Sequence, residues 1–158
     1  MSNKTMPAQY QGTPREALAL NTYIKLMRAG DSLAARIKGR GTFGALTISQ
    51  FAVLEALHHL GPLRQNVIGA KTLRSPGNLT LVIDNLEKAG LVTRTRAADD
   101  RRAIVVALTP KGRRRIAAIL PAHLAAIVEQ MSVLTPAEQQ QLGALCKKLG
   151  MAASAEPG

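Results

Sequence analysis

Residues 73–109 read L-R-S-P-G-N-L-T-L-V-I-D-N-L-E-K-A-G-L-V-T-R-T-R-A-A-D-D-R-R-A-I-V-V-A-L-T. Leu79, Val82, Ile83 and Leu86 recur at helical spacing, so the first half predicts a short amphipathic helix. Ser75 is its expected cap, Pro76 lies in its first turn and Gly90 is its stop. Leu91–Arg96 and Ala103–Leu108 predict two strands, with 97–100 as the turn region between them. A helix of this kind fits the major groove of DNA, and a basic hairpin beside it can reach the neighbouring minor groove. An enzyme cleft has no evident use for a hairpin tip crowded with arginine. The expected fold is therefore mainly α with a small β-hairpin wing, a winged helix-turn-helix.

Outward from that stretch the pattern is helical. Residues 1–14 are polar and punctuated by proline, which predicts a flexible arm. From Arg15 to Lys38, Leu18, Ile24, Met27, Leu33 and Ile37 mark a helix that Gly39, Gly41 and Gly44 bring to an end. Thr47 followed by Gln50 three residues on has the form of a capping box, and Phe51, Leu54 and Leu57 give the next helix a core face. Leu63–Leu73 predicts a second short helix with Val67 and Ala70 facing inward. Thr109-Pro110 opens a long helix through Ile116, Ile119, Leu120, Leu124, Ile127 and Met131, which Pro121 is expected to kink or weaken. Thr135-Pro136 and Glu138 open a last helix through Leu142, Leu145 and Leu149, and a tail follows from residue 151. The helices over 15–38 and 110–150 carry more apolar surface than a small three-helix core can cover. A second copy of the chain is the simplest cover for it. Residues 15–150 thus form one domain, with the DNA-binding lobe at 46–109.

Composition narrows the function. The 158 residues carry a formal net charge of +11, and only 3% are aromatic, so the core must be built from aliphatic side chains. The charge is focused: residues 91–115 hold eight of the 21 Lys and Arg against two acids, Asp99 and Asp100. One cysteine, Cys146, excludes an internal disulfide, and no apolar run approaches the roughly 20 residues of a membrane span. The chain reads as cytoplasmic. No nucleophile elbow, phosphate-binding loop or paired carboxylates suggest catalysis, and neither a cofactor nor a metal is expected.

The pieces L-T-I-S-Q-F-A-V-L-E-A-L at 46–57, V-I-D-N-L-E-K-A-G-L-V at 82–92, D-D-R-R at 99–102 and L-T-P-K-G at 108–112 resemble, in order and spacing, the MarR family of transcriptional regulators. The wording V-L-E-A-L-H-H-L-G is similar to members that sense aromatic, phenolic or quinone-like compounds. The resemblance implies a homodimer on double-stranded DNA with an inverted-repeat operator, acting as a repressor released by a small ligand or by oxidation. Many members carry arginine where this chain has Leu81, so its base preference is expected to differ.

Ser75, Gly77, Asn78 and Thr80 start the proposed recognition helix and are candidates for base or phosphate contact. Capping by Ser75 and simple solvation of Asn78 are the plain alternatives. Arg64, Gln65, Asn66, Lys71 and Arg74 around the preceding helix suit phosphates or an ordinary solvated face. Lys111, Arg113, Arg114 and Arg115 offer the same choice. On the wing, Arg94, Arg96, Arg101 and Arg102 are stronger, because a hairpin tip needs Gly, Asn or Asp and not four arginines. Asp99 resembles the family aspartate that orients Arg101, with a plain turn-forming role as the alternative.

His58, His59 and His123 lack metal-ligand spacing; with Tyr23 they are candidate donors to an aromatic effector, or simply core and surface residues. Cys146, next to Lys147 and Lys148, offers a redox-sensing alternative to ligand control, though a small buried or semi-buried side chain at the dimer interface is the plainer reading of it. A non-regulatory architectural DNA-binding protein is the remaining alternative.

Overall fold

The computed structural model describes residues 11–72 and 76–153 and falls into two units, divided between Arg40 and Gly41. The first unit contains helix α1, Pro14–Gly39. It begins one residue before the expected start because Thr13 and Glu16 form a capping box. The Thr13 backbone N–H donates to the Glu16 carboxylate at 2.7 Å, and the Glu16 N–H donates back to the Thr13 hydroxyl. No α1 side chain is buried.

The second unit runs α2 (Ile48–Leu60), β1 (Leu63–Arg64), α3 (Gln65–Thr72), α4 (Pro76–Lys88), β2 (Val92–Arg96), β3 (Ile104–Leu108), α5 (Pro110–Met131) and α6 (Pro136–Ala153). The Thr47–Gln50 capping box forms as its sequence pattern predicts. The stretch expected to be helical from Leu63 does not begin as helix. Leu63 and Arg64 are extended and pair with Val106 and Val105, so the hairpin becomes a three-stranded antiparallel sheet in the order β1-β3-β2. The pairing satisfies backbone groups along an edge of β3 that a bare hairpin would leave open. In α3 the buried residue is Ile68, with Val67 half-buried and Ala70 exposed, so its inward face is displaced from the expected one.

Helices α2, α4 and α5 and the central strand supply most of the core, to which α3 adds Ile68. Helix α4 contributes Leu79, Val82, Ile83 and Leu86, α2 contributes Phe51, Val53, Leu54 and Leu57, and α5 contributes Ile116 and Ile119, around Val106 of β3. Along α5 the inward stripe is Gly112, Ile116, Ile119, His123 and Ala126. Leu124 is instead 55% exposed and Leu120, Ile127 and Met131 are half-buried. The helix runs unbroken through Pro121, which lies on its exposed side. Helix α6 extends past the expected boundary to Ala153, with Leu145 and Leu149 exposed. Its first turn is closed by the carboxylate of Glu138, which accepts from the Thr135 N–H and hydroxyl.

Those bonds hold the Glu138 carboxyl below its ordinary value, as the matching bonds from Thr13 do for Glu16. A lowered folded-state pKa stabilises above the unfolded value, and the benefit fades as pH falls through the folded one. Both caps therefore weaken in acid.

The sequence L-T-P-K-G forms a knot between the end of α4 and the start of α5. Gly90, at φ 72°, turns the chain out of α4 in a conformation that other residues rarely adopt. Its carbonyl accepts from the Thr109 hydroxyl at 2.6 Å, while the same hydroxyl accepts from the Gly112 N–H at 2.9 Å. Lys111 donates its Nζ to the Ala89 carbonyl. A Cβ on Gly112 would lie 2.0 Å from the Leu91 carbonyl oxygen, a clash with backbone that no rotamer relieves. Gly112→Ala is expected to cost about 2–4 kcal/mol in urea unfolding of the full chain. A loss below about 0.5 kcal/mol would show that the knot yields freely.

Candidate nucleic-acid interface

Burying one face of α4 turns the other outward. Gly77, Asn78, Thr80, Leu81, Asn85 and Lys88 are exposed along it. Gln65, at the start of α3, donates Nε2 to the Thr80 hydroxyl at 3.1 Å and so couples the two helices. A groove of about 630 Å³ opens between α3, α4 and the hairpin, with Arg64, Gln65, Asn66, Thr80, Asp100 and Arg102 among its lining. Lys71 is exposed at the end of α3. Arg74 and Ser75 lie outside the described residues.

The wing arginines divide into two kinds. Arg94 is bound inward: its Nη1 lies 2.6 Å from Asp84 Oδ1 and its Nη2 donates to Glu87 Oε2 at 2.6 Å. The hydrogen bond to Glu87 is the largest influence raising its pKa further, with Asp84 adding to it against partial desolvation. Arg94, expected at the groove, is thus held against α4 in this structure. Two acids one helical turn apart on α4 claim its guanidinium, and it clamps strand β2 to that helix.

Arg96 keeps an exposed side chain and donates Nη1 to the Arg101 carbonyl at 3.0 Å, which closes the base of the loop. Arg101 and Arg102 are exposed, and their guanidinium groups have no partner among the described residues.

Asp99, expected to brace Arg101, is placed elsewhere in this structure. Asp99 pairs with Arg64 of β1, with Oδ2 and Nη2 2.5 Å apart, because the β1–β3 pairing brings Arg64 beside the loop. It is the next residue, Asp100, that shapes the tip. Its Oδ1 accepts from the Arg102 N–H at 2.9 Å, an Asx turn. Arg64 consequently holds the wing tip from β1 while remaining 40% exposed.

At the start of α5, Lys111 and Arg113 donate to the carbonyls of Ala89 and Leu108, and both are exposed, as are Arg114 and Arg115.

The candidate effector histidines are not brought together. His123 is 7% exposed, with its ring centroid 4.5 Å from that of Phe51 and 5.1 Å from that of Phe43. Its Nδ1 and the Thr42 hydroxyl are buried without a hydrogen-bond partner among the described residues. His58 and His59 lie at the far end of α2, exposed and edge-to-face, because the helix buries Phe51, Leu54 and Leu57 instead. Tyr23 is exposed on α1, and Cys146 is exposed on α6. Phe43 and Thr42 were not singled out from sequence, since they sit in a glycine-rich loop with no periodic signal. Among the described residues no cluster of His, Cys, Asp and Glu could hold a metal, and no single helix is long and apolar enough to cross a membrane.

The Arg94 clamp has a measurable consequence. Arg94→Ala is expected to lower stability by about 1–2 kcal/mol in urea titration, the range for charge-assisted hydrogen bonds at a partly exposed site. Arg94→Lys should recover less than half of that, because one ammonium cannot span both carboxylates as the planar fork does. Unchanged stability of both variants would mean that the clamp holds nothing.

Residues 46–104 match the model of the MarR family. The uncharacterized HTH-type transcriptional regulator YkoM of Bacillus subtilis is 36% identical over 133 residues, covering 84% of this chain and 86% of the relative. Among solved structures, BpsR of Bordetella bronchiseptica, described through regulation of its DNA binding by 6-hydroxynicotinic acid, is similar at 25% identity. That match has a TM-score of 0.63 and covers 78% of this chain and 98% of BpsR. Sco3205 of Streptomyces coelicolor, a MarR family regulator solved with DNA, shares the fold at TM-score 0.76 and 21% identity. The alignment covers 96% and 95% of the two chains.

Proposed function

The chain belongs to the MarR family of DNA-binding transcriptional regulators, and from that premise we propose that it is a homodimeric repressor released from an inverted-repeat operator by a small aromatic or phenolic effector. The observation that carries the reading is the pairing of α4's outward polar face with an arginine-tipped wing clamped to the same helix. In this reading Asn78 and Thr80 approach base edges, while Gly77 and the start of α4 lie against phosphate, as do Arg64, Gln65 and Lys71. Arg101 and Arg102 enter or flank the minor groove, whose negative potential attracts guanidinium. Arg96 supports them by closing the loop.

Dimerisation is supported by the exposed apolar residues of α5 and α6, including Leu124, Val128, Leu145 and Leu149. Two lobes joined by such helices would meet successive major grooves about 34 Å apart, so a modest change in lobe spacing costs both half-sites. The effector is supported by the buried His123 Nδ1, which has no hydrogen-bond partner among the described residues and lies beside Phe43 and Phe51. Aromatic surface with an unmatched polar atom suits a planar ligand bearing a hydroxyl or carboxylate. The BpsR likeness points the same way. Effector binding would act by population shift toward a spacing that no longer fits DNA.

Selection of duplexes from a random pool by the full chain should enrich an inverted repeat, bound by a sedimenting dimer. Uniform retention of all sequences would instead favour an architectural DNA-binding protein. A screen of aromatic acids and phenols should then yield a compound that both stabilises the protein and releases the selected duplex. At 100 times its dissociation constant such a compound adds about 2.7 kcal/mol of stability. Release by peroxide that is abolished in Cys146→Ser, with no active compound, would move control to the thiol.

A further inference from the structure

We infer that Leu81 reads the 5-methyl group of a thymine in each half of the operator, making it a specificity-determining residue of the recognition helix. The inference rests on the DNA-binding reading and adds to it the base that one side chain selects.

Leu81 is 59% exposed, whereas its neighbours Leu79, Val82 and Ile83 are buried at 2%, 7% and 0%. At about 100° per residue, it points roughly 150° away from the mean direction of Leu79, Val82, Ile83 and Leu86. It therefore adds nothing to the core. Isolated exposed leucines are ordinary on protein surfaces; the position of this one is not. The described exposed side chains of α4 are otherwise polar or absent: Gly77, Asn78, Thr80, Asn85 and Lys88. Leu81 stands near the middle of that face as its sole apolar group, with Asn78 three residues before it and Asn85 four residues after it.

A side chain at that place meets base edges when the helix enters the major groove. It has no hydrogen-bonding atom, so it cannot select guanine, cytosine or adenine by donor and acceptor pattern. The single apolar group on the major-groove edge of any base pair is the thymine methyl. Burying a methyl against leucine excludes water from both, and cytosine, which lacks the methyl, gains nothing at the same place. Asn78 and Asn85 on one flank can bind adenine through N6 and N7. The outward face of α4 is consequently fitted to a core of A·T pairs, with Leu81 fixing the strand on which the thymine lies.

The test uses the full chain and the duplex enriched by selection, with each major-groove thymine replaced in turn by deoxyuridine. That replacement removes the methyl and leaves base pairing intact. In the wild-type chain, one symmetric position per half-site should lose about three- to fivefold in affinity when substituted, the value of one methyl group. Leu81→Ala and Leu81→Gln should bind thymine and uracil at that position equally, while keeping wild-type melting temperature because the side chain lies outside the core. Discrimination that survives in both variants would assign the methyl to another residue and overturn the inference. So would a wild-type chain that ignores every uracil substitution while still binding its operator specifically. If no duplex is enriched at all, the DNA-reading function fails first and the role of Leu81 falls with it.

Discussion

Burial of Leu79, Val82, Ile83 and Leu86 fixes what the other side of α4 can do. A helix of 13 residues presents one apolar stripe, and once that stripe is sealed against α2, α3 and β2 the opposite side has a single orientation toward solvent. Rotation about the helix axis would expose leucine and bury asparagine, at a cost in desolvation that the core cannot offset. Rigidity of the reading face is thus a property of packing. Apart from Thr80, which accepts from Gln65 and so helps hold α3 in place, the exposed residues named on that face take no part in the core and are free to vary in chemistry.

The wing inherits its position from the same helix. Arg94 ties β2 to Asp84 and Glu87, the Asp99–Arg64 pair ties the loop to β1, and Gln65 ties α3 to Thr80. At the other end, Thr109 and Gly112 join the exit of α4 to the entry of α5 without a flexible linker. Under the proposed mechanism these ties would carry a displacement of the long helix to α4 and the wing together. A regulator that must lose its DNA through a change in lobe spacing needs such a connection, since a compliant joint would absorb the shift.

Much of this was legible in the sequence, and what escaped has physical causes. The α4 stripe, the hairpin and the knot at Thr109 are written in local periodicity, turn residues and capping pairs. Strand β1 is two residues long, too short to carry an alternation signal, and only its pairing with β3 makes it a strand. The fate of Arg94 depended on strand placement: Asp84 and Glu87 share a helix face, but nothing local says which wing arginine faces them. The Asp99–Arg64 pair spans 35 residues and follows from β1, so it was hidden with it. The stripe of α5 was misread because its buried positions include Gly112, His123 and Ala126, which carry little apolar weight. Spacing by three and four residues from Gly112 would have found it, and with it the burial of His123. Tyr23, His58 and His59 were grouped with His123 by chemistry alone, and residue type carries no information about which end of a helix a side chain occupies.

In the proposed function α4 and the wing act as one body on adjacent grooves. Hydroxyl-radical footprinting of the full chain on its selected duplex tests it most directly. Two protected segments are expected, centred about one helical turn apart, 10–10.5 base pairs, each flanked by a protected minor groove. The flanks should open in the Arg101→Ala, Arg102→Ala double variant while the central protection persists. Flanks that stay protected in that variant, or protection spread evenly along the duplex, would contradict it.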